Sequence, residues 1–134
     1  MMKLSLVALD REIFVGDVLA VFAKSSEGAF EVRPGHSPML AALVEADFYY
    51  DTAVNERQGL FLYGGVLEVI KNEVIVIADE VNLVDEIDPS HVESRISKLQ
   101  EEIKASDVDY AAALRELSVM TAQLNMLRKI KKYR

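Results

Sequence analysis

Apolar and polar positions change their period near Glu86-Ile87-Asp88-Pro89. Upstream, short apolar and β-branched runs are separated by glycine, proline and polar clusters, the pattern of strands and turns. Lys3–Leu9, Val18–Lys24, Phe30–Val32, Ala46–Tyr50, Gly59–Tyr63, Val66–Ile70 and Val74–Ala78 are the predicted strands. The last two flank Lys71-Asn72-Glu73, a hairpin spacing in which Asn72 readily takes a left-handed conformation. Val74–Ile77 is apolar at every position, which predicts burial on both faces. Seven or more short strands without a helical period between them predict an antiparallel β-sandwich.

Downstream the period becomes helical. Asp88 is placed to cap a helix and Pro89 suits its first turn, where a missing N–H costs nothing. Val92, Ile96, Leu99 and Ile103 then recur on one helical face. Lys104–Asp107 interrupts the pattern, and Ser106 or Asp107, helped by Asp109, can cap a second helix. Tyr110, Leu114, Leu117, Met120, Leu124 and Leu127 form its apolar stripe. So short a connection predicts an antiparallel two-helix hairpin. Each helix has a single stripe, and the two stripes cover each other only in part. The remainder must rest on the sandwich or on another protein. Helices of this length are marginal alone in water, so a hairpin that depends on docking can dock in more than one place.

Charge sharpens the division. Residues 1–86 carry fifteen acids and six bases, a net of −9, whereas residues 87–134 carry seven acids and nine bases, a net of +2. Two modules with these boundaries follow. The overall net charge of −7 disfavours nucleic acid as a partner, because phosphate binding needs a basic footprint. No run approaches the ~20 apolar residues of a membrane helix, and Asp10, Arg11 and Glu12 follow too soon for a secretory leader. Direct insertion into lipid is not expected. Without cysteine, and with only His36 and His91 as histidines, thiolate chemistry is excluded and little remains for a metal site. Nothing calls for a cofactor.

The candidate chemistry is correspondingly thin. The carboxylate pairs Glu27 with Glu31, Asp79 with Glu80 and Asp85 with Glu86 lie near glycines or strand ends, where solvated acids are ordinary. His36 sits in the rigid Arg33-Pro34-Gly35-His36-Ser37-Pro38 turn, and a backbone-bonded histidine is favoured over a nucleophile–base pair with Ser37. Gly64-Gly65 precedes a strand, not a helix, so it is no phosphate cradle. The segment from Arg128 to Arg134 carries five cations in seven residues. They complement a helix C-terminus and suit an acidic protein surface.

Several words of the sequence, taken together, resemble the epsilon subunit of bacterial F-type ATP synthases. Ser26-Glu27-Gly28 and Pro34-Gly35-His36-Ser37-Pro38 are similar to that family's Glu-Gly…Pro-Gly-His-x-Pro run. Tyr63-Gly64-Gly65-Val66-Leu67-Glu68-Val69 and Val74-Ile75-Val76-Ile77-Ala78-Asp79 resemble two of its strands, and Asp107-Val108-Asp109-Tyr110-Ala111 resembles the opening of its last helix. Order and spacing agree over essentially the whole chain.

The resemblance implies a sandwich of about ten strands followed by a helical hairpin, in a rotor part that is not itself catalytic. Residues 1–86 would join the gamma subunit to the ring of c subunits. Residues 87–134 would fold against the sandwich, or extend along gamma to the catalytic alpha and beta subunits and block ATP hydrolysis. The gamma interface would hold His36, Pro38 and Ala41. Glu27, Ala29 and Glu31 would meet the c ring, although Gly28-Ala29-Phe30-Glu31-Val32 departs from the usual Gly-Glu-apolar-Gly-apolar run. An acid displaced by two positions keeps the same strand face. Arg115, Arg128, Lys129, Lys131 and Lys132 would face acidic surface on the beta subunits. ATP-binding members carry Ile/Leu-Asp-x-x-Arg-Ala where this chain has Ile87-Asp88-Pro89-Ser90-His91-Val92. Asp88, His91 and Arg95 would be the nucleotide-facing residues. A mostly neutral imidazole replaces a forked cation there, so weak or no ATP binding is expected. The implied location is peripheral, on the cytoplasmic face of the bacterial plasma membrane, in a proton-translocating enzyme. The alternative is a sandwich-plus-hairpin adaptor outside any rotary ATPase.

Overall fold

A computed structural model describes residues 1–105 and 109–133, with side chains through residue 129. The proposed Ser106 and Asp107 caps therefore lie outside the described residues. Eight strands come first: β1 (Met2–Ala8), β2 (Glu12–Val18), β3 (Ala20–Ser25), β4 (Gly28–Val32), β5 (Met39–Ala53), β6 (Glu56–Ile70), β7 (Glu73–Ala78) and β8 (Val81–Leu83). A 3-10 turn, Val84–Glu86, leads to α1 (Pro89–Ala105) and α2 (Tyr110–Tyr133). The fold is the expected sandwich followed by a helical hairpin.

The strands are hydrogen-bonded in the order β2-β1-β7-β6-β5-β3-β4, with β8 on the other half of β6. β5 and β6 are 15 residues each and pair with each other almost end to end. β7 pairs with β6 from Gly65 onward, and β8 pairs with Leu60–Leu62. The long strands thus serve both layers. This is why eight strands replace the expected ten: Gly59–Tyr63 and Val66–Ile70 are halves of one strand, and Ala46–Tyr50 is the middle of another. β2 was not foreseen, because Gly16 and Asp17 break its apolar pattern.

Gly64-Gly65 is the hinge of β6. Its φ angles are +98° and +145°, and a Cβ on Gly65 would lie 2.3 Å from the Ile77 carbonyl oxygen. Only glycine fits there. The bend also shifts side-chain phase, so that Leu60 and Leu62 before it and Leu67 and Val69 after it all enter one core. Lys71 and Asn72 both have positive φ and form a two-residue hairpin loop between the paired Ile70 and Glu73.

The sandwich core contains Leu4, Leu6, Val21, Phe48, Leu60, Leu67, Val74 and Val76, all at most 1 % exposed. A second core lies between sheet and helices. Tyr49 and Phe61 meet Ile87, Val92, Met126 and Leu127, with Phe22, Tyr63, Val119 and Met120 around them. Ala46–Tyr50 is buried without interruption because its alternate residues enter different cores.

Candidate docking surfaces

The helices are capped by acids. Asp88 Oδ1 accepts the Ser90 N–H at 3.0 Å, and Asp109 Oδ1 accepts the N–H groups of Ala111 at 3.1 Å and Ala112 at 3.3 Å. These fill orphan donors of each first turn. Arg95 binds Glu116 on α2 through two hydrogen bonds, at 2.6 and 3.0 Å, tying the helices together. The guanidinium holds the Glu116 carboxyl below its ordinary range. At the entrance to the hairpin Arg11 grips Glu86 at 2.7 and 3.2 Å and also donates to the Val81 carbonyl. Glu86 is likewise held low.

Two polar arrangements fasten α2 to the sandwich. In the first, the Gln123 amide donates to the Tyr63 hydroxyl at 2.8 Å and reaches Asn82 Oδ1 at 3.4 Å, while the Tyr63 hydroxyl donates to Asn82 at 2.7 Å. Gln123 is only 4 % exposed, and burial raises the Tyr63 pKa. In the second, the buried Asp47 carboxylate accepts from Lys24 at 2.6 Å on Oδ1 and from the Tyr49 hydroxyl at 2.8 Å on Oδ2, and Lys129 stands 3.6 Å from Oδ2. Burial alone would raise this carboxyl, but Lys24, Tyr49 and Lys129 together leave it below the usual range.

The expected stripe of α2 is displaced. Tyr110 and Leu114 are 61 % and 42 % exposed, whereas Ala113, Gln123 and Met126 are buried. The helix turns its wider C-terminal half, not its N-terminal half, to the sheet.

The other sheet face stands open. Val15, Ser5, Ile75, Glu68 and Leu40 align across β2, β1, β7, β6 and β5, and beside them run Glu12, Val7, Ile77, Val66 and Ala42. Leu40 is 71 % exposed, and Val15, Val66 and Ile77 are 46 %, 44 % and 48 %. The expected burial of Val74–Ile77 on both faces therefore fails on one side: Ile77 faces solvent. Arg33–His36 lies at the Asn72 end of this sheet. There the Gly35 N–H donates to Asn72 Oδ1, and the Arg33 carbonyl accepts from the His36 N–H. Gly35 has φ +86°, suiting a turn with proline before it.

The anticipated site residues divide accordingly. His36 is half-buried, with Nδ1 2.7 Å from the Ser37 carbonyl oxygen, the backbone bond expected of it. Pro38 is exposed. Alternation places Ala41 with Met39 and Leu43 on the inward side of β5, where it is half-buried, and Leu40 and Ala42 on the outward side. Glu27, Ala29 and Glu31 are exposed, and Glu31 pairs with Arg33 at 3.1 Å. Ala29 and Glu31 share a cleft of about 460 Å³ with Phe22, Lys24, Asp47 and Lys129, so they do keep one strand face. Arg115 and Arg128 are exposed on α2. The side chains of Lys131 and Lys132 lie outside the described ones. Asp88 caps α1, His91 is exposed, and Arg95 is engaged with Glu116. Sequence reasoning missed Asp47, Gln123 and the Arg95–Glu116 pair. A lone acid inside Ala46–Tyr50 and a glutamine inside an apolar stripe were the available signals.

Among the described residues, no three His, Cys, Asp or Glu side chains group as for a metal ion, and no helix is long and apolar enough to cross a membrane. What the surface does hold is one apolar sheet face covered by the chain's own helices and one left open.

The family model for the ATP synthase delta/epsilon chain β-sandwich domain matches residues 1–84. The chain belongs to this family. It is 34% identical to the ATP synthase epsilon chain of Acinetobacter baylyi over 134 residues, covering 97% of this chain and 95% of that one. Among solved structures, a chain of the Euglena gracilis mitochondrial ATP synthase aligns over 98% of this chain and 79% of its own, with TM-score 0.73 and 17% identity. One from the Tetrahymena thermophila mitochondrial ATP synthase central stalk and c ring aligns over 96% and 95%, with TM-score 0.58 and 14% identity. At such identities the likeness is one of fold.

Proposed function

We propose that the protein is the epsilon subunit of a bacterial, proton-translocating F-type ATP synthase. It serves as a non-catalytic part of the central stalk at the cytoplasmic face of the membrane. In this reading residues 1–86 form the coupling module and residues 87–134 the regulatory one. The gamma subunit covers the open sheet face and the adjoining His36–Pro38 turn. The c ring meets the edge formed by Glu27, Ala29 and Glu31.

The observation that carries this reading is the open face itself. In a member of this family, Leu40, Val66 and Ile77 stand exposed in neighbouring strands, on a sheet whose inward side is fully packed. Apolar area of this kind is the mark of a partner surface. The hairpin is the inhibitory element: it releases the sandwich, extends toward the catalytic alpha and beta subunits, and there presents Arg115, Arg128, Lys131 and Lys132, whereas Lys129 is the cation set against Asp47 when the hairpin is docked. ATP binds weakly or not at all, since Arg95 is already spent on Glu116 and His91 supplies no fixed charge.

Co-purification in mild detergent from the native host, with a tag at the N-terminus, tests the assignment. Recovery of gamma, the catalytic subunits and the c ring is the expected result. An unrelated protein in place of gamma would transfer the chain to the adaptor reading.

A further inference from the structure

The polar groups beneath α2 are satisfied before the helix arrives. Asp47 has Lys24 and the Tyr49 hydroxyl, both supplied by the sandwich, and the Tyr63 hydroxyl already donates to Asn82. Gln123 and Lys129 add to these arrangements rather than completing them. Departure of α2 therefore strands no buried charge on the sandwich, and the docked state is separated from the free one by apolar contact and two added polar contacts. Gln123, Met126 and Lys129 follow one another at three-residue steps, with Met126 fully buried between the two polar contacts. Together they fix where along the sheet the helix rests.

Lys129 and Arg128 are adjacent cations with different surroundings. Lys129 lies 3.6 Å from Asp47 and 5.9 Å from the centre of the Tyr49 ring. Arg128 is exposed and forms no ion pair among the described residues. We propose that Lys129 is a docking pin that holds α2 on the sandwich, so that neutralising it releases the hairpin, whereas neutralising Arg128 weakens only the extended, inhibitory engagement. The two neighbouring cations then act on hydrolysis with opposite sign. This rests on the inhibitory reading of the hairpin, and separate measurements distinguish the two.

The first measurement is hydrogen exchange of α2 amides in the isolated full chain, with β1 amides as the control for an intact sandwich. Lys129→Gln is expected to speed exchange over 119–129 by about two- to fivefold, the range of a half-exposed ion pair. Gln123→Glu, which sets a carboxylate among Tyr63 and Asn82 at a site 4 % exposed, is expected to speed it by roughly tenfold or more. Arg128→Gln should leave it unchanged. The second measurement is ATP hydrolysis by the assembled enzyme, which Lys129→Gln and Gln123→Glu should lower and Arg128→Gln should raise. Exchange at the wild-type rate in Lys129→Gln would overturn the pin, as would hydrolysis moving the same way in the Lys129 and Arg128 variants. The expected exchange with hydrolysis unmoved in every variant would support the pin and overturn the inhibitory reading beneath it.

Discussion

Along β5 and β6, Tyr49, Phe61 and Tyr63 lie beneath α2, while Leu40 and Val66, toward the other ends of the same strands, face solvent. Both are outward sheet faces backed by the same core. The covered one is aromatic and carries polar anchors, Asp47 and Tyr63, set to meet a helix. The open one is mainly aliphatic, Ser5, Glu12 and Glu68 being the polar members of its two rows. An outward apolar face announces a cover but not whose it is. Here the chain supplies one cover, and in the proposed reading gamma supplies the other.

The comparison breaks first at Phe61. Phe61→Ala removes a fully buried ring beneath the hairpin and should destabilise the isolated protein by ~3–5 kcal/mol. Leu40→Glu, on the open face, should change stability by less than ~0.5 kcal/mol. Thermal unfolding of both variants checks this; equal losses would erase the distinction between the faces. Leu40→Glu should nonetheless weaken binding to purified gamma by about a hundredfold, the size expected for a charge set into an apolar contact.

Next comes removal of the helices. A chain ending at Glu86 should keep the sandwich folded, since its core is complete without α1 and α2. It would bare Tyr49 and Phe61, and should bind a hydrophobic dye that the full chain excludes. Native-like far-ultraviolet dichroism with dye binding is the expected pair of results. An unfolded product would mean that the second core is part of the first. In the assembled enzyme this truncation should raise ATP hydrolysis and leave coupling intact.

Acid offers a milder test. Asp47, Glu86 and Glu116 all have depressed carboxyl pKa values in the folded chain. Groups of this kind stabilise the fold above the ordinary carboxylate range of about 4, and the stability is lost as pH falls through their lowered values. The unfolding temperature should therefore hold between pH 7 and 5 and fall below about pH 4. Asp47→Asn should flatten that fall. The smallest effect belongs to Arg95→Gln, which breaks a half-exposed interhelical pair and should lower the denaturant midpoint only slightly.

How much could be read in advance follows the same division. Binary pattern revealed the two modules, the hairpin loop at Asn72 and the first stripe through Val92 and Leu99, because each is a local repeat. The phase shift at Gly64-Gly65 was not legible, since it arises from the approach of Ile77 on another strand. Tyr110 and Leu114 were placed in contact because spacing does not say which half of a helix lies on the sheet. Ile77 was expected to be buried because a run apolar on both sides looks the same whether its cover is in the chain or not.

The most direct measurement uses the absence of cysteine. A single Leu40→Cys on the open face, with Asn55→Cys on the exposed β5–β6 loop as reference, gives one thiol per molecule to alkylate. Both should react readily in the isolated protein. In the assembled enzyme, position 40 should become protected by tenfold or more while position 55 stays reactive. Equal reactivity of position 40 in the isolated and assembled protein would leave the open face uncovered and contradict the account.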